Sequence, residues 1–133
     1  MIEGLPALLR ATTAVSDLVG TRVYPYHAPQ GTALPYIVIE QMGSVENVAL
    51  DGTGSLRFVD FDIDCKADRA TESRALGKVV RELLDDYTGT AGTETIGAVI
   101  MNNESTQYEP PSDASDRGIY TTLLDLTIQY TPA

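Results

Sequence analysis

The sequence of 133 residues has one cysteine, one histidine and no tryptophan, and only 9 basic side chains against 19 acidic ones. Each shortage excludes something. A lone Cys65 cannot form an intrachain disulfide, and without a second thiol there is no zinc-ribbon or redox pair. A lone His27 leaves no histidine-rich metal site. No apolar run approaches the ~18–20 residues of a membrane span, so no membrane partner is expected. The opening MIEGLPALLRATT lacks the basic start and long apolar segment of a secretory signal, so a cytoplasmic origin is expected. A net charge of −10 opposes tight binding to a phosphate backbone, which needs clustered Lys and Arg. What remains is a 43% hydrophobic chain of ordinary domain length, and we read residues 1–133 as one domain.

Periodicity supplies the elements. Ile2, Leu5, Leu8, Leu9, Thr12 and Val15 recur at steps of three and four, the stripe of an amphipathic helix. Pro6 fits only its first turn, which starts the helix near Gly4 or Leu5. A short turn at Ser16–Val19 stops at Gly20, which suits a left-handed cap. Val23–Tyr26 reads as a brief strand and His27–Pro35 as a loop. Tyr36–Met42 is a strand, and the glycines of Gly43–Ser55 mark a long hairpin loop or flexible arm. From Val59 the alternation is strict, with Val59, Phe61, Ile63, Cys65 and Ala67 on one face and Asp60, Asp62, Asp64 and Lys66 on the other. A helix N-capped by Asp68 follows, with Leu76, Val79, Val80, Leu83, Leu84 and Tyr87 on its apolar stripe, ended by Gly89–Gly92. Thr95–Met101 is a strand, Glu104–Gly118 an exposed turn region or second arm, and Tyr120–Tyr130 a closing strand. The expected fold is α+β: a mostly antiparallel sheet of about four to five strands, with two helices packed on one face.

Little in this pattern carries chemistry. Asp60, Asp62 and Asp64 lie ~6.5–7 Å apart along one strand, and such a row diverges instead of converging on a cation. It reads as an acidic stripe. Asp51–Ser55 lacks the Gly-Lys-Ser/Thr of a phosphate loop and the spaced acids of a calcium loop, so it reads as a hairpin tip. His27 has no Ser or Cys nucleophile in a suitable context. Cys65 falls on the apolar face, as a small core residue. We expect no enzymatic activity, no catalytic or metal site and no cofactor.

The residues resemble a known family over nearly the whole chain. Asp17-Leu18-Val19-Gly20 closes the leading helix, followed by Arg22-Val23-Tyr24-Pro25, Ala28-Pro29-Gln30-Gly31 and Leu34-Pro35-Tyr36. Downstream come Asp62-Ile63-Asp64-Cys65-Lys66-Ala67, a helix with Glu72 and Arg74-Ala75-Leu76, and a closing Leu123–Tyr130. In this order they resemble the tail terminator, or tail completion, proteins of long-tailed bacteriophages. Lys66 departs from the pattern, standing where an aromatic is expected.

The resemblance implies a structural virion protein. It would cap the tail tube as a homohexameric ring, stop tube growth and offer a surface for the head. The implied partners are further copies of the chain, the major tail tube protein and the head–tail connector protein. DNA would pass without specific binding. The implied place is the tail end or neck of the virion, and the host cytoplasm during assembly. A neighbouring neck adaptor ring, or a non-viral α+β ligand-binding or accessory domain, is the alternative. Expected ring contacts are the arm residues Gly43, Val45, Val48, Leu50, Gly52 and Gly54 against the basic helix residues Arg74, Lys78 and Arg81. Asp60, Asp62 and Asp64 are the candidates to face the channel, where a negative wall discourages phosphate contacts.

Overall fold

The computed structural model describes residues 4–48, 55–85, 87–110 and 118–131, with side chains described for these except at 44–48, 55 and 56. In chain order the elements are α1 (Gly4–Ala11), α2 (Thr13–Val19), β1 (Val23–Pro25), β2 (Tyr36–Val48), β3 (Ser55–Ala67), α3 (Ala70–Leu84), β4 (Gly89–Ala91), β5 (Glu94–Glu109) and β6 (Ile119–Thr131). The strands form one sheet in the order β1-β2-β3-β6-β5-β4. The fold is α+β, as expected, but the sheet has six strands and is mixed. β1 pairs parallel with β2, because the intervening loop carries the chain back to the same end of the sheet; the other pairings are antiparallel.

Among the described residues there are three helices where two were expected. The leading helix breaks at Thr12, whose backbone is extended (φ −86°, ψ 118°) while its hydroxyl donates to the Leu8 carbonyl at 2.9 Å. The hydroxyl thus competes with the backbone for that carbonyl, and the helix restarts at Thr13. It ends at Gly20 with φ +61°, which a β-carbon would disfavour. α3 begins after Arg69, not Asp68, and has no side-chain cap. Gly89–Gly92 does not end this helix; it forms β4 and, through Gly92 at φ +64°, a tight turn into β5.

In their described residues the two expected arms are mostly strand. β2 runs on to Val48, paired with Ser55, so residues 43–48 form the stalk of the β2–β3 hairpin. Gly43 follows a bulge at Met42 and opens no loop. Leu50, Gly52 and Gly54 lie outside the described residues. Likewise β5 pairs with β6 as far as Glu109, so residues 104–109 are strand, and 111–117 lie outside the description. Both stretches are polar, and composition suggested loops. Cross-strand hydrogen bonding to an ordered partner outweighs that weak propensity.

All three helices cover one face of the sheet. Leu5 and Leu9 from α1, Val15 and Val19 from α2, and Leu76, Val80 and Leu84 from α3 close over Val59, Phe61, Ile63 and Cys65 of β3 and over Leu124, Leu126 and Ile128 of β6. Val59, Phe61, Ile63, Cys65 and Ala67 are buried, as the alternation implied. α3 approaches β6 so closely that a β-carbon on Gly77 would meet the Thr122 methyl at 2.7 Å. Beneath it a hydroxyl chain bridges helix and sheet. Ser73 donates to the Cys65 carbonyl at 2.9 Å, leaving Thr122 to donate to Ser73 (2.7 Å) and Thr106 to Thr122 (3.1 Å).

Candidate functional site

The face of the sheet away from the helices is acidic. Asp60, Asp62 and Asp64 stand there on β3, and strand register extends the row across the sheet. Glu40 on β2, Asp62 on β3 and Asp125 on β6 lie directly opposite one another. Like charges so placed repel across ~4.5–5.5 Å. Asp62 therefore sits above the ordinary carboxylate range, through burial first and then through Asp125, Glu40 and Asp60. Asp60 accepts a hydrogen bond from Thr127 at 2.6 Å, and Thr127 in turn accepts from the Asn102 amide at 2.9 Å.

Asp64 is the most perturbed acid. It packs between Val38 and Leu123, its register partners. Burial pushes its carboxyl up to about 6, with Glu40, Asp62 and Glu109 adding to the rise and Lys66 opposing it. Lys66 pairs with Glu109 at 2.9 Å and donates to Thr121 at 3.2 Å. The residue that departs from the family pattern is thus a cation between carboxylates, not a gap in the core.

A second surface lies on the helix side. Arg74, Lys78 and Arg81 of α3 line a groove of about 330 Å³ with Glu104, Ser105 and Thr106 of β5 and Thr122 of β6. Arg81 pairs with Glu104 at 3.0 Å, and Lys78 with Glu82 one turn on at 3.9 Å. Arg74 is exposed and makes no ion pair among the described residues. A groove with net positive lining on an acidic chain suits a carboxylate-bearing segment.

The sequence placed the aspartate stripe and the basic helix face. It missed Glu40, Asp125 and Glu104, because alternation assigns each residue a face and does not say which strands are neighbours. The described side chains offer little for catalysis. His27 is exposed on its loop, with Nδ1 3.3 Å from the Ala28 carbonyl oxygen. Burial pushes the Cys65 thiol up, with Asp64 and Glu104 adding to it, so it is a poor nucleophile. Among the described residues no three His, Cys, Asp or Glu side chains group as metal ligands. No helix there is long and apolar enough to cross a membrane.

Comparison with known proteins adds three findings. The family model described as "Tail completion protein gp17" matches residues 3–115. Among curated proteins, none matches the sequence. A solved structure, "Virion of native gene transfer agent (GTA) particle", contains a chain of the same fold, with a TM-score of 0.68 and 18% identity. The match covers 98% of this chain and 94% of that one.

Proposed function

This chain belongs to the tail completion protein gp17 family, and from that premise we propose that six copies close into a ring that caps the tail tube. The ring stops tube growth and presents a surface to the head–tail connector protein. The observation that carries the reading, beside the family, is the division of the molecule into two faces. A helix layer buries one side of the sheet, and the other side carries a cluster of carboxylates, Glu40, Asp60, Asp62, Asp64 and Asp125. A protein that passes DNA without holding it needs such a wall, and a ring of these chains carries six times a charge of −10. In this arrangement Glu40, Asp60, Asp62, Asp64 and Asp125 face the channel.

Ring closure needs a heterologous contact between unlike patches. The β2–β3 hairpin of one copy, with Gly43, Val45 and Val48 on its stalk, reaches the Arg74–Lys78–Arg81 groove of the next. Contacts to the major tail tube protein form on one rim and to the connector on the other. The protein works in the virion and is assembled in the host cytoplasm. Deleting its gene should give tubes of uncontrolled length that do not join heads. Tails of normal length on intact particles would overturn the reading.

A further inference from the structure

Both margins of the sheet are only half covered. On one side β1 pairs with Ile37–Ile39 alone, and β2 continues to Val48 with no strand beside it among the described residues. On the other side β4 pairs with Glu94–Ile96 alone, and β5 continues to Glu109 in the same condition. The covered parts lie at opposite ends of the sheet. The register carries Ile39 through Ile63 and Leu124 to Glu104, whereas β4 lies beside the far end, where Thr95 faces Thr131.

Such edges invite pairing. A long exposed edge presents a row of unused N–H and C=O groups, and Pro and Lys are among the devices, with other charges and bulges, by which proteins blunt it. Neither residue occurs in 40–48 or 97–109. The structure describes five exposed large hydrophobic side chains, and three of them, Met42, Ile100 and Tyr108, lie along these stretches.

We propose that neighbouring copies join by strand addition, residues 40–48 of one β2 pairing antiparallel with residues 97–109 of the next copy's β5. This deepens the ring reading and rests on it. Three features fix the occupant as a second copy. β2, β3, β6 and β5 alternate in direction, so a neighbour of the same orientation offers its β2 antiparallel to β5. A stagger between copies moves β1 past one end of β5 and β4 past the opposite end of β2, and sheets that close on themselves need stagger. The bulges at Met42, between Ile96 and Ala98, and between Met101 and Asn103 add the local twist that closure also needs. Charge agrees as well. Residues 40–48 carry Glu40 and Glu46 and no cation. They would run along β5 beside Glu104 and Thr106, which line the groove of Arg74, Lys78 and Arg81.

The register names the backbone groups involved. The Ile37 N–H donates to the Arg22 carbonyl at 2.9 Å and the Ile39 carbonyl accepts from the Tyr26 N–H at 2.8 Å, so these positions turn their polar groups away from β3. Ser44 and Glu46 face Val59 and Arg57, in the same phase of β3 as Ile63, so their N–H groups point to the open edge. Ser44→Pro therefore removes an edge donor without breaking the β2–β3 ladder, a position where strands tolerate proline.

The test is hydrogen exchange of the wild-type protein, free and in purified tail-bearing particles, with assembly of Ser44→Pro scored by electron microscopy. We expect the amides of Ser44 and Glu46 and the edge-facing amides of 98–108 to exchange roughly a hundredfold more slowly in particles than in free protein. Ser44→Pro should unfold like wild type and fail to form rings. If wild-type rings form while these amides exchange as in free protein, strand addition is wrong and the ring reading stands. If wild-type protein forms no ring on tails, both fall. Should Ser44→Pro fail to fold, the wild-type exchange comparison alone decides.

Discussion

Gly77 lies in the middle of α3, where glycine costs about 1 kcal/mol relative to alanine. Its reason is the 2.7 Å approach that any β-carbon would make to the Thr122 methyl. Thr122 cannot turn aside without breaking its bond to Ser73. Gly77→Ala should therefore destabilise the fold by about 1–3 kcal/mol, read as a lower urea midpoint at unchanged slope. At an open helix position the same change would stabilise. Asp64 gives a second residue-level test. Its folded carboxyl titrates at about 6, above the unfolded value of 3.8. Between these values the folded state holds a proton that the unfolded state has lost, so stability falls as pH rises from about 4 to 6. Asp64→Asn removes that loss. Solvent screening of this partly exposed group reduces the full value of the shift, so the gain should be about 1–2 kcal/mol at pH 7 and small at pH 4, measured by denaturant titration at both values. Alternation in the sequence told which face Asp64 occupies. It could not tell that Val38 and Leu123 flank it, because that depends on strand register.

The elements differ in how plainly the sequence states them. β3 and β6 were legible because each alternates one buried and one solvent-facing side, and α3 because its stripe recurs over four turns. β1 and β4 have three residues each, too few for any period, and β4 reads as a helix stop because Gly89 opens it and Gly92 follows it. The far ends of β2 and β5 carry polar residues on both faces. Only their partners make them strands, and no local pattern records a partner. The basic helix face was legible as a charge cluster, but its pocket depends on Glu104, which sits on a stretch that looked like loop. At this scale the groove itself can be tested. Arg74→Glu with Lys78→Glu should leave the unfolding midpoint nearly unchanged, since exposed charges contribute little to stability. Ring assembly should weaken by at least about tenfold, seen as an excess of free protein over particle-bound protein. Particles with wild-type occupancy of the double variant would remove this groove from the contact.

At the scale of the whole molecule, the sheet separates two tasks. The helix side supplies stability through one continuous apolar core, and the opposite side carries charge that works against folding. A protein that needed only to fold would not align Glu40, Asp62 and Asp125. That alignment has a cost in repulsion, and the family places the chain among phage tail proteins. The most direct measurement is a cryo-electron microscopy map of tail-bearing particles at a resolution that traces strands. The account predicts a sixfold ring of this chain at the head-proximal end of the tube, with the carboxylates of Glu40, Asp62 and Asp125 facing the channel. A map that puts the chain elsewhere in the particle, or turns the helix layer toward the channel, would contradict it.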